Sequence, residues 1–384
     1  MRYFVILSAL VLQICLGATY SWSVYVHDIK ALLGLSQAAA QVPFSVFYFV
    51  FPATMVVSGL ILNKIGPRFS AMLGGALFAS GWIIGSFGLS NFTYTILGNG
   101  VIAGIGAGIA YIVPISTCMK WFPHQKGLVT GIAVAGFGGG AALVSKIGGL
   151  LLGVGATPFG LFKLFGIAFF LLTVSAGFFM VNPEETTVQQ AKPAPIKETI
   201  TKNAFLILYF AMFSGLAAGF AINANIKELF SGANSSAGVT AVALFAIANA
   251  VGRITWGTFF DRFATKNVIQ ANLSAQAILL LAAEPILSST TGLLIFSSLA
   301  GFNYGGVLVL YAGAVARIWG PQSVATTYGW LFSANIPGAV APMLAAFCYD
   351  RTGSFTLALW IIAFLILVAI VLLQWKRTLF IKQE

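Results

Sequence analysis

The feature that most restricts this chain is a series of long apolar runs almost free of charge, such as Phe205 to Asn223 and Leu357 to Leu373. A helix of ~20 residues crosses the ~30 Å hydrocarbon core of a bilayer, and these runs have that length. The 384 residues are 59% hydrophobic and only 8% charged, whereas a soluble domain carries about 25% charged residues. So few charges cannot cover a water-facing surface of this size, and the apolar surface must face lipid. Backbone groups in lipid must be satisfied within the span, which leaves helices or a closed barrel. Barrel strands alternate strictly over ~10 residues, and no such alternation is present. The chain is therefore predicted to be an all-α membrane protein.

Twelve spans are predicted, near 3–26, 40–62, 68–89, 93–118, 126–153, 159–181, 203–229, 236–259, 266–289, 291–316, 323–347 and 353–375. The first could pass for a signal peptide, but it has a counterpart in the second half and is kept as span 1. With a cytoplasmic N-terminus, 14 of the 20 basic residues fall inside and 4 outside, while Lys146 and Arg253 lie within spans. By the positive-inside rule this predicts a multi-pass protein of the cell inner membrane with both termini cytoplasmic. The same bias accounts for the net charge of +11 without a nucleic-acid partner.

The longest polar stretch, Asn182 to Lys202, is rich in Pro, Thr, Gln and Glu and reads as a flexible cytoplasmic linker. It divides the chain into six-helix halves, residues 1–181 and 203–384, joined by 182–202. The halves repeat at an offset of 197 to 198 residues. Gly59-Leu-Ile-Leu-Asn63-Lys64 matches Gly257-Thr-Phe-Phe-Asp261-Arg262, Gly104 with Lys120 matches Gly301 with Arg317, and Gly17 matches Gly215. A parallel repeat implies a pseudo-twofold axis along the membrane normal, with substrate bound between the halves near mid-membrane.

Gly59-xxx-Asn63-Lys64-Ile-Gly66-Pro67-Arg68 resembles the major facilitator superfamily signature G-xxx-D-R-x-G-R-R, and Gly257-xxx-Asp261-Arg262 with Lys266 is its echo. The resemblance implies the fold of that superfamily over the whole chain. It also implies a cytoplasmic gate formed by Gly59, Asn63, Lys64, Arg68, Asp261 and Arg262. Asn63 replaces the usual acid.

Three further stretches are similar to the monocarboxylate transporters and their bacterial relatives, the oxalate/formate antiporter family. Span 1 reads Gly17-Ala-Thr-Tyr20-Ser-Trp22-Ser-Val-Tyr25, like the family's G-x-x-Y-x-W-S-V-F. Span 8 reads Asn249-Ala-Val-Gly252-Arg253-Ile, with an arginine where the family places its carboxylate-binding arginine. Span 11 reads Tyr328-Gly-Trp-Leu-Phe-Ser-Ala-Asn335, like Y-G-x-L-Y-x-A-K. Asn249 stands where the animal transporters carry aspartate, and Asn335 where the oxalate exchanger carries a second cation. One fixed cation suits a monoanion, so the resemblance implies an L-lactate- or pyruvate-like substrate.

Arg253 is the leading candidate, because an ionised side chain at depth is costly and usually faces a cavity, and its fork can hold a carboxylate bidentately. Snorkelling to the surface, or a backbone carbonyl partner, is the other reading. Tyr20, Tyr111, Tyr304 and Tyr328 lie in spans that line the central cavity by family analogy, with an aromatic-belt role as the alternative. Asn249 and Asn335 are candidate polar contacts, or helix-to-helix hydrogen bonds. Lys146 and Glu284 sit toward span ends and read as interfacial. Cys15, Cys118 and Cys348 read as buried free thiols. The runs Gly104-Ile-Gly106-Ala-Gly108 and Gly136-Phe-Gly138-Gly139-Gly140 serve close helix packing rather than nucleotide binding, since no GK[ST] follows. The sequons at Asn91 and Asn234 read as chance matches.

No nucleophile–base set or metal cluster appears in the spans, so no enzyme, cofactor or metal is expected. The expected activity is secondary transport of a small carboxylate anion by rocker-switch alternating access, acting as a monomer, with a proton as coupling ion. An anion exchanger of the oxalate/formate type and a non-transporting sensor or scaffold are the alternatives.

Overall fold

The computed structural model describes residues 1–183, 196–226, 229–230 and 235–375. Among these residues there is no strand, and ten helices are long and apolar enough to cross a membrane. The Ala39–Leu89 segment holds two spans, because Gly66 (φ 77, ψ 171) breaks the Gln37–Gly85 helix just before Pro67. Glycine reaches that φ without the steric cost a side chain adds. The turn between spans 2 and 3 is thus one residue, tighter than the predicted gap from 62 to 68. Span 9 is Thr265–Leu281, 17 residues, followed by the short helix Ala283–Ile286. With those two counted, the described residues hold twelve spans. The linker residues 184–195, the sequon residue Asn234 and the basic tail 376–384 lie outside the described residues, and Ile196–Ile200 is a short helix before span 7.

Helix starts follow local chemistry. Ser36, Thr157 and Ser289 each accept a bond from the backbone N–H three residues on, at 3.2, 3.1 and 3.0 Å, satisfying donors that have no intrahelical partner. Three spans are irregular. Span 1 tightens to a 3₁₀ turn at Ala18–Trp22, between Arg2–Gly17 and Ser23–Leu33. Span 4 contains a π-helical stretch, Ile96–Ile102. Span 11 has another at Val324–Tyr328, then separate short helices Gly329–Phe332, Asn335–Gly338 and Ala341–Thr352. Such interruptions are tolerated at membrane depth only where protein or a cavity covers the freed backbone.

The chain forms two compact units. One contains Met1–Pro123, Ile132–Ala191 and Val324–Trp330; the other contains His124–Gly131, Lys192–Ser323 and Leu331–Glu384. The Lys126–Gly153 helix and span 11 therefore each pass from one unit to the other.

The sequence repeat reappears in the packing of each unit. In the first, Gly100, Gly104 and Gly108 of span 4 lie against Val46, Val50 and Thr54 of span 2. In the second, Gly301 and Gly305 of span 10 lie against Phe245 and Asn249 of span 8. Both crossings use small residues every four positions, which lets helix backbones approach where no hydrophobic driving force exists between spans. Away from these seams, Leu60, Phe170, Leu171, Phe364 and Val371 are exposed, the outward apolar surface expected of spans bathed in lipid.

Candidate functional site

In the second unit, span 8 is one continuous helix, Ser235–Arg262, and Arg253 lies nine residues before its end. That is three residues deeper than the sequence suggested, and ~14 Å along the axis at 1.5 Å per residue. Arg253 is only 3% exposed, so its side chain is enclosed by protein rather than extended to the surface. Asn249, one turn earlier, is also buried. Gly305 of span 10 faces the carbonyl of Asn249 and the backbone N of Arg253, so the two helices meet backbone to backbone there. Tyr304, beside Gly305, is buried between Phe220 and Phe245, with ring centroids 5.8 and 5.9 Å away, and Gly219 leaves room under its ring. The structure thus gathers Asn249, Arg253 and Tyr304 at one crossing. Asn335 is buried too, but its amide donates to Phe332 O at 2.7 Å across the break in span 11.

In the first unit, Tyr20 and Tyr111 gather on Phe137. Their ring centroids lie 5.2 and 5.5 Å from it, both edge-on. Tyr48 joins Tyr20 at 5.4 Å and Phe51 joins Tyr111 at 5.3 Å. Tyr20 is half-buried and sits in the 3₁₀ turn. Tyr111 is buried, and its carbonyl accepts from Gln13 at 3.3 Å. Tyr328 is fully buried at the end of the π-helical stretch.

Sequence reasoning passed over several buried amides. Gln13 is one. Asn272 donates to Asn303 O at 2.9 Å, and Gln276 donates to Asn272 Oδ1 at 2.9 Å, linking spans 9 and 10. Polar amides inside apolar runs were the available signal, but a linear sequence does not say which helix face they occupy.

The gate residues are built unequally. Asp261 is half-buried, and its two oxygens accept from the backbone N–H groups of Gly127 at 2.7 Å and Leu128 at 2.8 Å. It caps the first turn of span 5 from another helix, where the positive end of the helix dipole favours a carboxylate. Arg317 donates to the carbonyls of Phe260 and Phe263 and to Thr265 Oγ1, and stacks on the Phe260 ring at 4.0 Å. Arg262 is exposed. At the first-half turn Asn63 and Lys64 are exposed, and the Arg68 guanidinium lies 4.5 Å over the Phe178 ring. Gly59 packs on the backbone of Ala325 and Thr326. Of the other residues weighed, Lys146 and Glu284 are exposed, Cys15 and Cys118 are buried free thiols, and Cys348 is a half-buried one.

A family model described as the Major Facilitator Superfamily matches residues 6–231. The chain belongs to the Major Facilitator Superfamily. It is similar to the oxalate:formate antiporter of Oxalobacter formigenes, 26% identical, over 88% of this chain and 82% of that protein. It is also similar to monocarboxylate transporter 12 of Mus musculus, 25% identical, over 84% of this chain and 74% of that one. Among solved structures, the E. coli fucose:proton symporter FucP superposes with a TM-score of 0.74 at 14% identity, over 97% of this chain and 98% of that chain, a likeness of fold. This superfamily member is an integral membrane transporter of the oxalate:formate antiporter and monocarboxylate transporter type, not an enzyme.

Proposed function

We propose that this transporter is a secondary carrier of small monocarboxylates such as L-lactate and pyruvate, coupled to protons and working by rocker-switch alternating access. The observation that carries the reading is Arg253, a guanidinium buried nine residues inside a lipid-crossing helix. The repeat offset of 198 places Met55 at the equivalent position of the first half, so the cation belongs to one half only. Arg253 holds the carboxylate with two parallel hydrogen bonds. Tyr20, Tyr111, Tyr304 and Tyr328 donate hydroxyls or cover the apolar remainder of the substrate, with Asn249 and Asn335 as further polar contacts. Asn335 brings no second charge, which favours monoanions over oxalate.

The acids of this chain are Asp28, Glu184, Glu185, Glu198, Glu228, Asp261, Glu284, Asp350 and Glu384, and none interrupts a span near its middle. The proton therefore travels with the substrate carboxylate as Arg253 releases it. In this reading 1–181 and 203–384 are the moving halves, 182–202 links them, both termini are cytoplasmic in the cell inner membrane, and a monomer suffices.

Competition tests the substrate class. In proteoliposomes, excess pyruvate is expected to suppress labelled L-lactate uptake about as well as unlabelled L-lactate does, and oxalate at least tenfold less well. Equal potency of oxalate would replace the monoanion assignment with the dianion exchange that the Oxalobacter relative is named for.

A further inference from the structure

We propose that the turn between spans 2 and 3 is a binding site for an anionic phospholipid, with its phosphate against Lys64 and Arg68 and an acyl chain in the groove beside them. The groove has a volume of about 600 Å³ and is lined by Ile65, Phe69, Met72 and Leu73. Those side chains are apolar, and Ile65, Phe69 and Leu73 are exposed. Lys64 immediately precedes Ile65 and Arg68 immediately precedes Phe69, so in the chain both cations adjoin the apolar lining, one on each side of the break at Gly66. Stacking on Phe178 holds the Arg68 guanidinium in place, and a fixed planar fork matches phosphate oxygens.

Charge selects the occupant. No Asp or Glu occurs between Asp28 and Glu184, so spans 2 to 6 provide no carboxylate for these two cations. The repeat emphasises the gap, because the position of Asn63 is held in the second half by Asp261, which does carry a charge. A zwitterionic lipid brings a compensating ammonium with its phosphate, whereas phosphatidylglycerol brings net negative charge to a basic cluster at the membrane surface. With the orientation proposed above, the site opens to the inner leaflet. It is independent of which solute is carried.

The test is lipid retention. The full chain is equilibrated in vesicles of equal phosphatidylglycerol and phosphatidylcholine, extracted, washed in detergent, and its bound lipid counted by mass spectrometry. Wild type is expected to retain phosphatidylglycerol in clear excess. The double variant Lys64→Gln/Arg68→Gln is expected to lose about tenfold or more of that preference, two basic contacts being removed, while Arg68→Lys keeps most of it. Leu73→Trp, which fills the groove with an apolar side chain, is expected to lower retention of both lipids, and excess inorganic phosphate in the wash is expected to displace neither. Equal retention of the two lipids by wild type, an unchanged preference in the double variant, or displacement by phosphate alone would each overturn the proposal.

Discussion

Arg253→Ala is expected to lower L-lactate uptake at subsaturating concentration by at least 30-fold, and Arg253→Lys by about tenfold, both at unchanged amounts of inserted protein. Truncating one partner of a buried, hydrogen-bonded charge pair costs about 2–5 kcal/mol, and each 1.4 kcal/mol is a factor of ten. Lysine restores the charge but not the planar fork, so part of the loss should persist as weakened apparent affinity. Uptake and apparent affinity are read from initial rates in proteoliposomes. Full uptake with unchanged affinity in Arg253→Lys would remove bidentate recognition from the account. Full uptake in Arg253→Ala would remove Arg253 from the site.

The second large effect is expected at Gly131, which carries no side chain to touch substrate but packs on the backbone of Arg253. A Cβ built there would lie 2.5 Å from the carbonyl oxygen of Arg253 and 3.1 Å from Ile254 Cα. Those are backbone atoms of a packed helix, and they cannot swing aside as a side chain would. Gly127, one turn earlier, makes the same approach to Gly257, and Asp261 caps that turn. The start of span 5 therefore braces the segment of span 8 that carries Arg253. Gly131→Ala forces the two helices apart, and a displacement of about 1 Å at a positioned group can cost ~100-fold. We expect Gly131→Ala to reduce uptake at least tenfold. Gly139→Ala, on the same helix but with no atom within 4 Å of the added carbon, should transport normally. Equal activity of the two variants would show that the brace is unimportant.

What was legible in the sequence follows from which interactions are local. The spans were readable because lipid demands continuous apolar runs, and the glycine-rich seams because close helix contact demands small residues. Span 11 could be placed but not drawn. Its π-helical stretch and its breaks between Phe332 and Ala341 arise from packing, although Pro337 and Pro342 lie in or beside them. The 3₁₀ turn at Ala18–Trp22 coincides with the motif around Tyr20, so the resemblance marked the segment without predicting its shape. The capping role of Asp261 was out of reach, since its partners lie 134 and 133 residues away in the chain. The gate motif names the carboxylate but not its partners, which are two backbone N–H groups, with Arg317 and Lys126 near enough to favour its charge. Arg253 was legible as a residue inside a span, yet its distance from the helix end depended on span 8 running on to Arg262, past the predicted end at 259. For Tyr111 and Tyr304, burial distinguishes the candidates from an aromatic belt, and burial is a tertiary property.

The most direct measurement is uptake of labelled L-lactate into proteoliposomes that contain no substrate and have an alkaline interior. The account predicts accumulation above the external concentration, driven by the pH gradient alone and collapsed by a protonophore. Uptake that appears only after an unlabelled carboxylate is loaded inside would contradict proton-coupled transport and establish exchange.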